Sequence, residues 1–187
     1  MSVKHGLLAL LESGPRYGYQ MRAEFEERTG STWPLNVGQV YTTLDRLERD
    51  GLIRSAGSDG EGHEMYEISD EGRAEVATWF STPVARTQPP RDELAIKLAL
   101  AVTTPGVDVG SLIQRQRAAT IGALQDYTRL KRGEVDLAWG LVLDSLIFAA
   151  EAEIRWLDHC ETRVRRAADT GAVPASAAPR HHDEAAR

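Results

Sequence analysis

Residues 36–54 read NVGQVYTTLDRLERDGLIR, and this stretch predicts the fold. Its apolar side chains recur at spacings of three and four residues, which places them on one side of a helix. They are Val37, Val40, Tyr41, Leu44 and Leu47. Asn36 is a favourable N-cap, and Gly51 follows where a left-handed residue commonly ends a helix. Leu52 and Ile53 then begin a short apolar run that is typical of a strand.

The opposite side of this helix is polar and suggests a function. It carries Gln39, Thr42, Asp45, Arg46 and Arg49. Side chains of this kind read base edges and neutralise phosphates when a helix enters a major groove. The alternative is an amphipathic helix whose outer side is simply solvated.

The flanking sequence predicts the rest of a winged helix-turn-helix. Residues 3–13 and 17–29 have the periodicity of two short amphipathic helices. After Ile53, a glycine-rich tip and the run 65–68 indicate a two-stranded hairpin. A further helix begins after Ser69, with Val76, Trp79 and Phe80 expected on its buried side. Three helices followed by a hairpin are typical of this motif.

The whole chain is predicted to be mainly α, with two domains. A winged helix-turn-helix over 1–82 is followed by a linker at 83–91, where three prolines cluster. Residues 92–166 are helical by pattern, and 167–187 are expected to be disordered. A helix over 134–166 is apolar nearly all round between Leu137 and Ala150, so we expect a second copy of the chain to cover it. The alternative is a self-contained three-helix bundle.

Composition narrows the classes of function. The formal net charge is −6, so a nucleic-acid site requires local positive charge. Cys160 is the single cysteine, and no apolar run is long enough to span a membrane, which together predict a cytoplasmic protein. The sequence contains no recognisable catalytic set, no glycine-rich phosphate loop and no residues at metal-ligand spacing. The pair His181-His182 has no further ligands near it in the sequence. We therefore expect no enzyme, no metal and no cofactor.

Four short segments, in order, resemble the PadR family of transcriptional regulators. They are residues 6–11 (GLLALL), 14–21 (GPRYGYQM), 37–48 with 51–53 (VGQVYTTLDRLE and GLI), and 66–72 (YEISDEG). The helical C-terminal half, with Lys97 after the triplet 92–94, is similar in layout to the longer-tailed branch. The resemblance implies a homodimeric repressor whose two recognition helices face an inverted-repeat operator on double-stranded DNA.

The resemblance also implies roles on the helix. Tyr41 would contact a phosphate, and Gln39 and Thr42 would contact bases. The full set of DNA-binding candidates is Lys4, Asn36, Gln39, Tyr41, Thr42, Thr43, Arg46, Arg49 and Arg54. The wing departs from the family pattern, since its tip and second strand carry Asp59, Glu61, His63 and Glu64, and the three carboxylates among them would repel phosphate.

An effector is expected to release the repressor from DNA. Trp139, Phe148 and Trp156 lie in the long helix, and aromatic side chains at a dimer seam suit a small planar or phenolic ligand. The alternative for each is an ordinary core or interface role. A second hypothesis for the whole chain is a protein-interaction adaptor that keeps the winged-helix fold without binding DNA.

Overall fold

The structure is a computed structural model that describes residues 2–85 and 91–170. Its contacts divide the chain into two compact units. Unit 1 holds the described residues of 1–85 together with Asp136–Val142, and unit 2 holds those of 86–135 and from 143 onward. Within the described residues, no helix combines the length and apolarity that crossing a membrane requires.

Unit 1 is a winged helix-turn-helix, which confirms the predicted fold class. Its elements are α1 (Ser2–Leu11), α2 (Gly18–Arg28), α3 (Val37–Arg49), β1 (Ile53–Ser58), β2 (Glu64–Ile68) and α4 (Asp70–Ser81). The core is formed by leucines of α1, Met21 of α2, and the inner side of α3. These side chains are buried because each helix carries its apolar residues on one side.

Helix α3 buries a narrower stripe than its sequence suggests. Val40, Leu44 and Leu47 are almost fully buried. Val37 and Tyr41, which the periodicity places on the same side, are instead 42% and 43% exposed. At about 100° per residue they lie on the flank of the stripe, roughly 60° and 100° from Val40. An apolar residue on the flank of a helix is therefore only partly covered.

The wing is a two-stranded antiparallel hairpin with an additional partner. Ile53 pairs with Ile68 and Ser55 with Tyr66, and an irregularity separates Ser55 from Ser58. Arg16, just before α2, also pairs with Tyr66: its N–H donates to the Tyr66 carbonyl at 3.0 Å, and its carbonyl accepts from the Tyr66 N–H at 2.9 Å. The wing is therefore attached along β2 to the start of α2.

The start of helix α4 packs closely on the turn that follows α3. Ser69 caps α4 by accepting from the N–H of Gly72, and its hydroxyl donates to the Gly51 carbonyl at 2.7 Å. A Cβ on Gly72 would lie 2.1 Å from the Leu52 carbonyl oxygen, so only glycine fits there. Val76 is buried as predicted, but Phe80 is 69% exposed, because it falls beyond the part of α4 that faces the core.

Unit 2 consists of helices. They are α5 (Glu93–Ala101), α6 (Val109–Lys131) and α7 (Leu137–Asp169), whose first turns group with unit 1. The buried cluster centres on Leu98, Ile113 and Leu157. Helix α7 begins and ends three residues later than predicted, so 167–169 are helical. The rest of the predicted tail, and residues 86–90 of the predicted linker, lie outside the described residues.

Candidate nucleic-acid interface

The outer side of α3 presents three polar side chains together. Gln39, Thr42 and Arg46 are exposed, since burial of the opposite stripe fixes the rotation of the helix. Asn36 begins the helix as its N-cap, and its side-chain oxygen accepts from the Gly38 N–H at 2.8 Å. The hydroxyl of Thr43 donates back to the Gln39 carbonyl at 2.7 Å. Asn36 and Thr43 thus each use one polar group within the helix itself.

A surface depression of about 410 Å³ lies between this side of α3 and the start of α1. Its lining residues are Val3, Lys4, Gly38, Gln39, Thr42, Thr43, Arg46, Leu47 and Asp50. The depression brings together five of the nine predicted DNA-binding residues. Asn36, Tyr41, Arg49 and Arg54 are not among its lining residues.

Lys4 reaches this depression from a fixed position. Its ammonium donates to the Glu75 carboxylate of α4 at 2.8 Å, and the His5 ring lies 3.1 Å from the same oxygen. The Lys4 hydrogen bond is the main cause of a lowered pKa at Glu75, with His5 adding to it. His5 also stacks on Trp79 at 5.3 Å between ring centroids. These contacts hold the start of α1 against α4.

The arginines of α3 and the wing differ in their partners. Arg49 pairs with Asp50 at 3.0 Å, and Arg54 pairs with Glu67 across the wing at 2.6 Å. Arg46 forms no ion pair with any residue of 2–85 or 91–170. Asp50 carries a negative charge on the same side of the helix as Arg46. Asp50 lines the depression because this C-cap residue follows Arg46 by four residues, about one helical turn.

Tyr41 lies directly over the start of α2. A Cβ on Gly18 would lie 2.9 Å from ring atoms of Tyr41, so the ring rests on the glycine backbone. The tyrosine is thus packed on one side and exposed on the other. This geometry leaves it accessible for the phosphate contact that we predicted, and it assigns Gly18 the role of making room for the ring.

The acidic residues of α3 act on the wing. Burial raises the pKa of Tyr66 to about 12, and Glu64, which accepts its hydroxyl hydrogen bond at 3.1 Å, adds to this. The negative charges of Glu48 and Asp45 contribute further. Asp45 therefore lies near enough to Tyr66 for its negative charge to raise the pKa of the Tyr66 hydroxyl.

The wing tip is folded by its own acidic residue. The Asp59 carboxylate accepts from the backbone N–H groups of Glu61 and His63, and it lies 2.9 Å from the His63 ring nitrogen Nδ1. The His63 ring in turn stacks on Tyr17, with centroids 4.5 Å apart. The tip residues that seemed only repulsive to DNA thus have structural contacts. Sequence reasoning missed Tyr17, because the pairing depends on the hairpin closing back on α2.

The three predicted effector residues lie in different surroundings. Trp139 packs against Gly30 within unit 1, and Phe148 is 66% exposed on α7. Trp156 alone lines a cavity, of about 370 Å³, inside unit 2. Trp139 and Phe148 are not among the lining residues of that cavity. Across those residues, no cluster of three potential metal ligands is present either.

The sequence matches two family descriptions. Residues 7–78 match the transcriptional regulator PadR-like family, and residues 90–165 match the family described as virulence activator alpha C-term. A probable transcriptional regulator of Mycobacterium tuberculosis is 29% identical, and the match covers 85% of this chain and 95% of the relative. The negative transcriptional regulator PadR of Bacillus subtilis is 24% identical over 83% of this chain and 93% of its own.

Solved structures of Bacillus subtilis PadR show the same fold. The complex with operator DNA superposes with a TM-score of 0.69, at 20% identity, over 88% of this chain and 99% of the other. The complex with p-coumaric acid gives the same TM-score and coverage at 21% identity. These likenesses confirm the predicted fold class, and the family matches confirm the predicted family.

The cap at Asn36 leads to a stability prediction. We expect Asn36→Ala to lower the free energy of unfolding by about 1 kcal/mol, because the Gly38 N–H loses its partner. Asn36→Asp is the matched control and should keep most of the stability, since aspartate caps equally well. Urea unfolding followed by circular dichroism measures the difference. Equal midpoints for all three proteins would contradict the role of Asn36 as a cap.

Proposed function

We propose that the protein is a homodimeric repressor that binds an inverted-repeat operator and is released by a small-molecule effector, because its residues 7–78 match the PadR-like family of transcriptional regulators. In this proposal α3 is the recognition helix. Phosphate contacts supply salt-dependent affinity, and the outer side of α3 supplies sequence preference. No catalytic step and no cofactor are part of this function. We propose the cytoplasm as its location, because DNA lies there in bacteria such as those of the relatives.

The cluster of Lys4, Gln39, Thr42 and Arg46 around one depression carries the proposal. It combines the guanidinium of Arg46, which has no ion pair among the described residues, with an amide, a hydroxyl and the Lys4 ammonium, which is paired with Glu75; such groups meet phosphates and base edges. Within a chain of net charge −6, local placement of cations is what permits DNA binding. The Bacillus subtilis protein of the same fold has been solved with operator DNA, which supports this use of the fold.

The first test of DNA binding is at Arg46. We expect Arg46→Ala to weaken operator binding roughly tenfold, because this exposed guanidinium is free of any ion pair with the described residues. Fluorescence anisotropy with a labelled operator, first located by footprinting the region upstream of the protein's own gene, gives the affinity. If Arg46 meets a phosphate, the salt dependence should fall by about one ion; if it meets a base, the loss should vary with sequence.

Arg49→Ala is the matched control, since Arg49 lies one turn further on and is neutralised by Asp50. It should have the smaller effect. Failure of the wild-type protein to shift any promoter fragment would overturn the DNA-binding proposal and favour the adaptor hypothesis. If wild type and Arg46→Ala bind the operator with equal affinity, the proposal that the outer side of α3 contacts DNA is contradicted.

The partner in the dimer is a second copy, and unit 2 supplies the apolar surface for it. Ile96 and Leu100 of α5 and Phe148 of α7 are exposed, although each is a large apolar side chain. Phe148 is followed by the small, exposed residues Ala149 and Ala152, which allow another helix to approach closely. When the same surface of a second copy covers these side chains, the exposed apolar groups of both chains are removed from water together.

A charge at Phe148 tests the dimer. We expect Phe148→Asp to convert the protein from dimer to monomer in analytical ultracentrifugation, because a carboxylate would be buried without a partner. Phe80→Asp is the matched control: Phe80 is equally exposed but lies in unit 1, so the mass should stay that of a dimer. A dimer for Phe148→Asp, or a monomer for the control, would contradict this interface.

The cavity beside Trp156 is our proposed effector site. Its wall is largely apolar, with Leu98, Val102 and Ile113, and its volume of about 370 Å³ suits a single aromatic ring with a short chain. Arg163 is the charged residue among its lining residues. Burial raises the pKa of the neighbouring Cys160 thiol, which keeps it neutral. This combination favours a planar aromatic carboxylate, and the p-coumaric acid complex of the Bacillus subtilis protein supports that class.

Ligand binding should be visible through Trp156. We expect p-coumarate to quench tryptophan fluorescence, and Trp156→Phe to abolish the change while the other three tryptophans remain. Arg163→Gln should weaken binding about tenfold, since a hydrogen bond between charged groups is lost. The uncharged amide of the same acid is the ligand control. A flat response of the wild type, or an unchanged response in Trp156→Phe, would exclude this site for this ligand.

A further inference from the structure

Three consecutive residues at the start of α2 connect the wing to α3. Arg16 is hydrogen-bonded in both directions to Tyr66 of β2. Gly18 lies beneath the Tyr41 ring of α3. Tyr17, between them, stacks on His63 at the wing tip with ring centroids 4.5 Å apart and planes inclined by 14°. This short segment therefore touches both elements that a winged helix presents to a ligand.

The wing side of the stack is also fixed. Asp59 and His63 close the tip through two hydrogen bonds: the Asp59 N–H donates to the His63 carbonyl, and the His63 N–H donates to the Asp59 side-chain carboxylate. The Asp59 carboxylate and the ring nitrogen of His63 form a third contact at 2.9 Å. These contacts lower the pKa of Asp59, so it stays ionised and keeps the imidazole in one orientation. The ring is consequently held from one side by Asp59 and covered on one face by Tyr17.

The charges of the wing make a direct phosphate contact unfavourable. Glu61 lies 3.8 Å from the His63 ring, so two carboxylates face this imidazole. Arg54 on β1 is neutralised by Glu67. An element with this charge distribution contributes to DNA binding through its position more than through attraction to the backbone.

We propose that Tyr17 and His63 form a latch that fixes the wing to the start of α2 and thereby holds wing and recognition helix in one arrangement. Both are positioning residues for operator binding, and they act without touching DNA. Only the operator-affinity measurements that test this inference rest on the proposed function. The latch itself is a property of the free protein.

The free protein tests whether the stack exists. An aromatic ring shifts the resonances of protons above its face upfield, so the ring protons of His63 should be shifted in the proton NMR spectrum. Tyr17→Ala should remove this shift, and the conservative variant Tyr17→Phe should restore it. Unchanged His63 resonances in Tyr17→Ala would overturn the latch, whether or not the protein binds DNA.

Operator affinity tests whether the latch positions the wing. Tyr17→Ala and His63→Ala should each weaken binding roughly two- to tenfold, the range expected for loss of one aromatic pair. The double variant should bind the operator no more weakly than the single variant with the lower affinity, because each substitution removes the same contact. Tyr17→Phe should bind like the wild type.

Salt dependence separates positioning from direct contact. The slope of affinity against salt should be the same in wild type and His63→Ala, because no phosphate contact is lost. The proposal would be overturned by any of three results. These are a salt slope reduced by about one ion in His63→Ala, additive losses of affinity in the double variant, and full operator affinity in both single variants. If the wild type binds no operator, the proposed function fails, and the NMR comparison still decides whether the latch exists.

Discussion

Burial of Val40, Leu44 and Leu47 beneath α3 is the constraint on which the rest of unit 1 depends. A helix has one rotation about its axis at which these three side chains leave water together. That rotation determines which polar groups point outward. A shift by a single residue would turn the helix by about 100° and move Gln39 and Arg46 out of the shared depression. The arrangement of the candidate interface is thus a consequence of how the core is packed.

A second constraint aligns α6 with α7 in unit 2. Arg117 pairs with Glu161 at 2.6 Å and with Asp158 at 2.7 Å, and the Thr120 hydroxyl donates to Glu153. Glu161 raises the pKa of Arg117, and Arg117 lowers that of Glu161, so both remain charged. Polar groups at a helix seam are satisfied in one alignment only, whereas leucines tolerate several. These pairs therefore select the register of the two helices.

Local periodicity was enough to predict the helices, the hairpin and the N-cap at Asn36. It also placed Gln39, Thr42 and Arg46 correctly on the exposed side of α3. It failed where burial depends on a distant element. Tyr41 and Phe80 have the pattern of core residues, but Tyr41 is covered on one side only, by the start of α2, and Phe80 lies beyond the packed part of α4. The stack of Tyr17 on His63 joins residues 46 positions apart, and no spacing rule indicates such a pair.

The predicted effector residues show the same limit. Trp139, Phe148 and Trp156 share one helix, and aromatic character alone suggested one role for all three. Their surroundings differ because the helix meets different neighbours along its length. The lining of a cavity is a tertiary property, so Arg163, which has no special sequence context, was not a candidate until the structure placed it beside Trp156.

The ion-paired arginines of α3 and the wing have a consequence for how the protein finds its target in a cell. Arg54 is matched by Glu67 and Arg49 by Asp50, within a chain that is acidic as a whole. If the protein binds DNA as proposed, we expect its long-range attraction to unrelated genomic DNA to be weak, so that little of it is held on other sequences. A diffusional encounter with DNA then leads to binding mainly when α3 faces the DNA. A regulator built this way gains selectivity by rejecting most collisions, at the expense of a slower association rate.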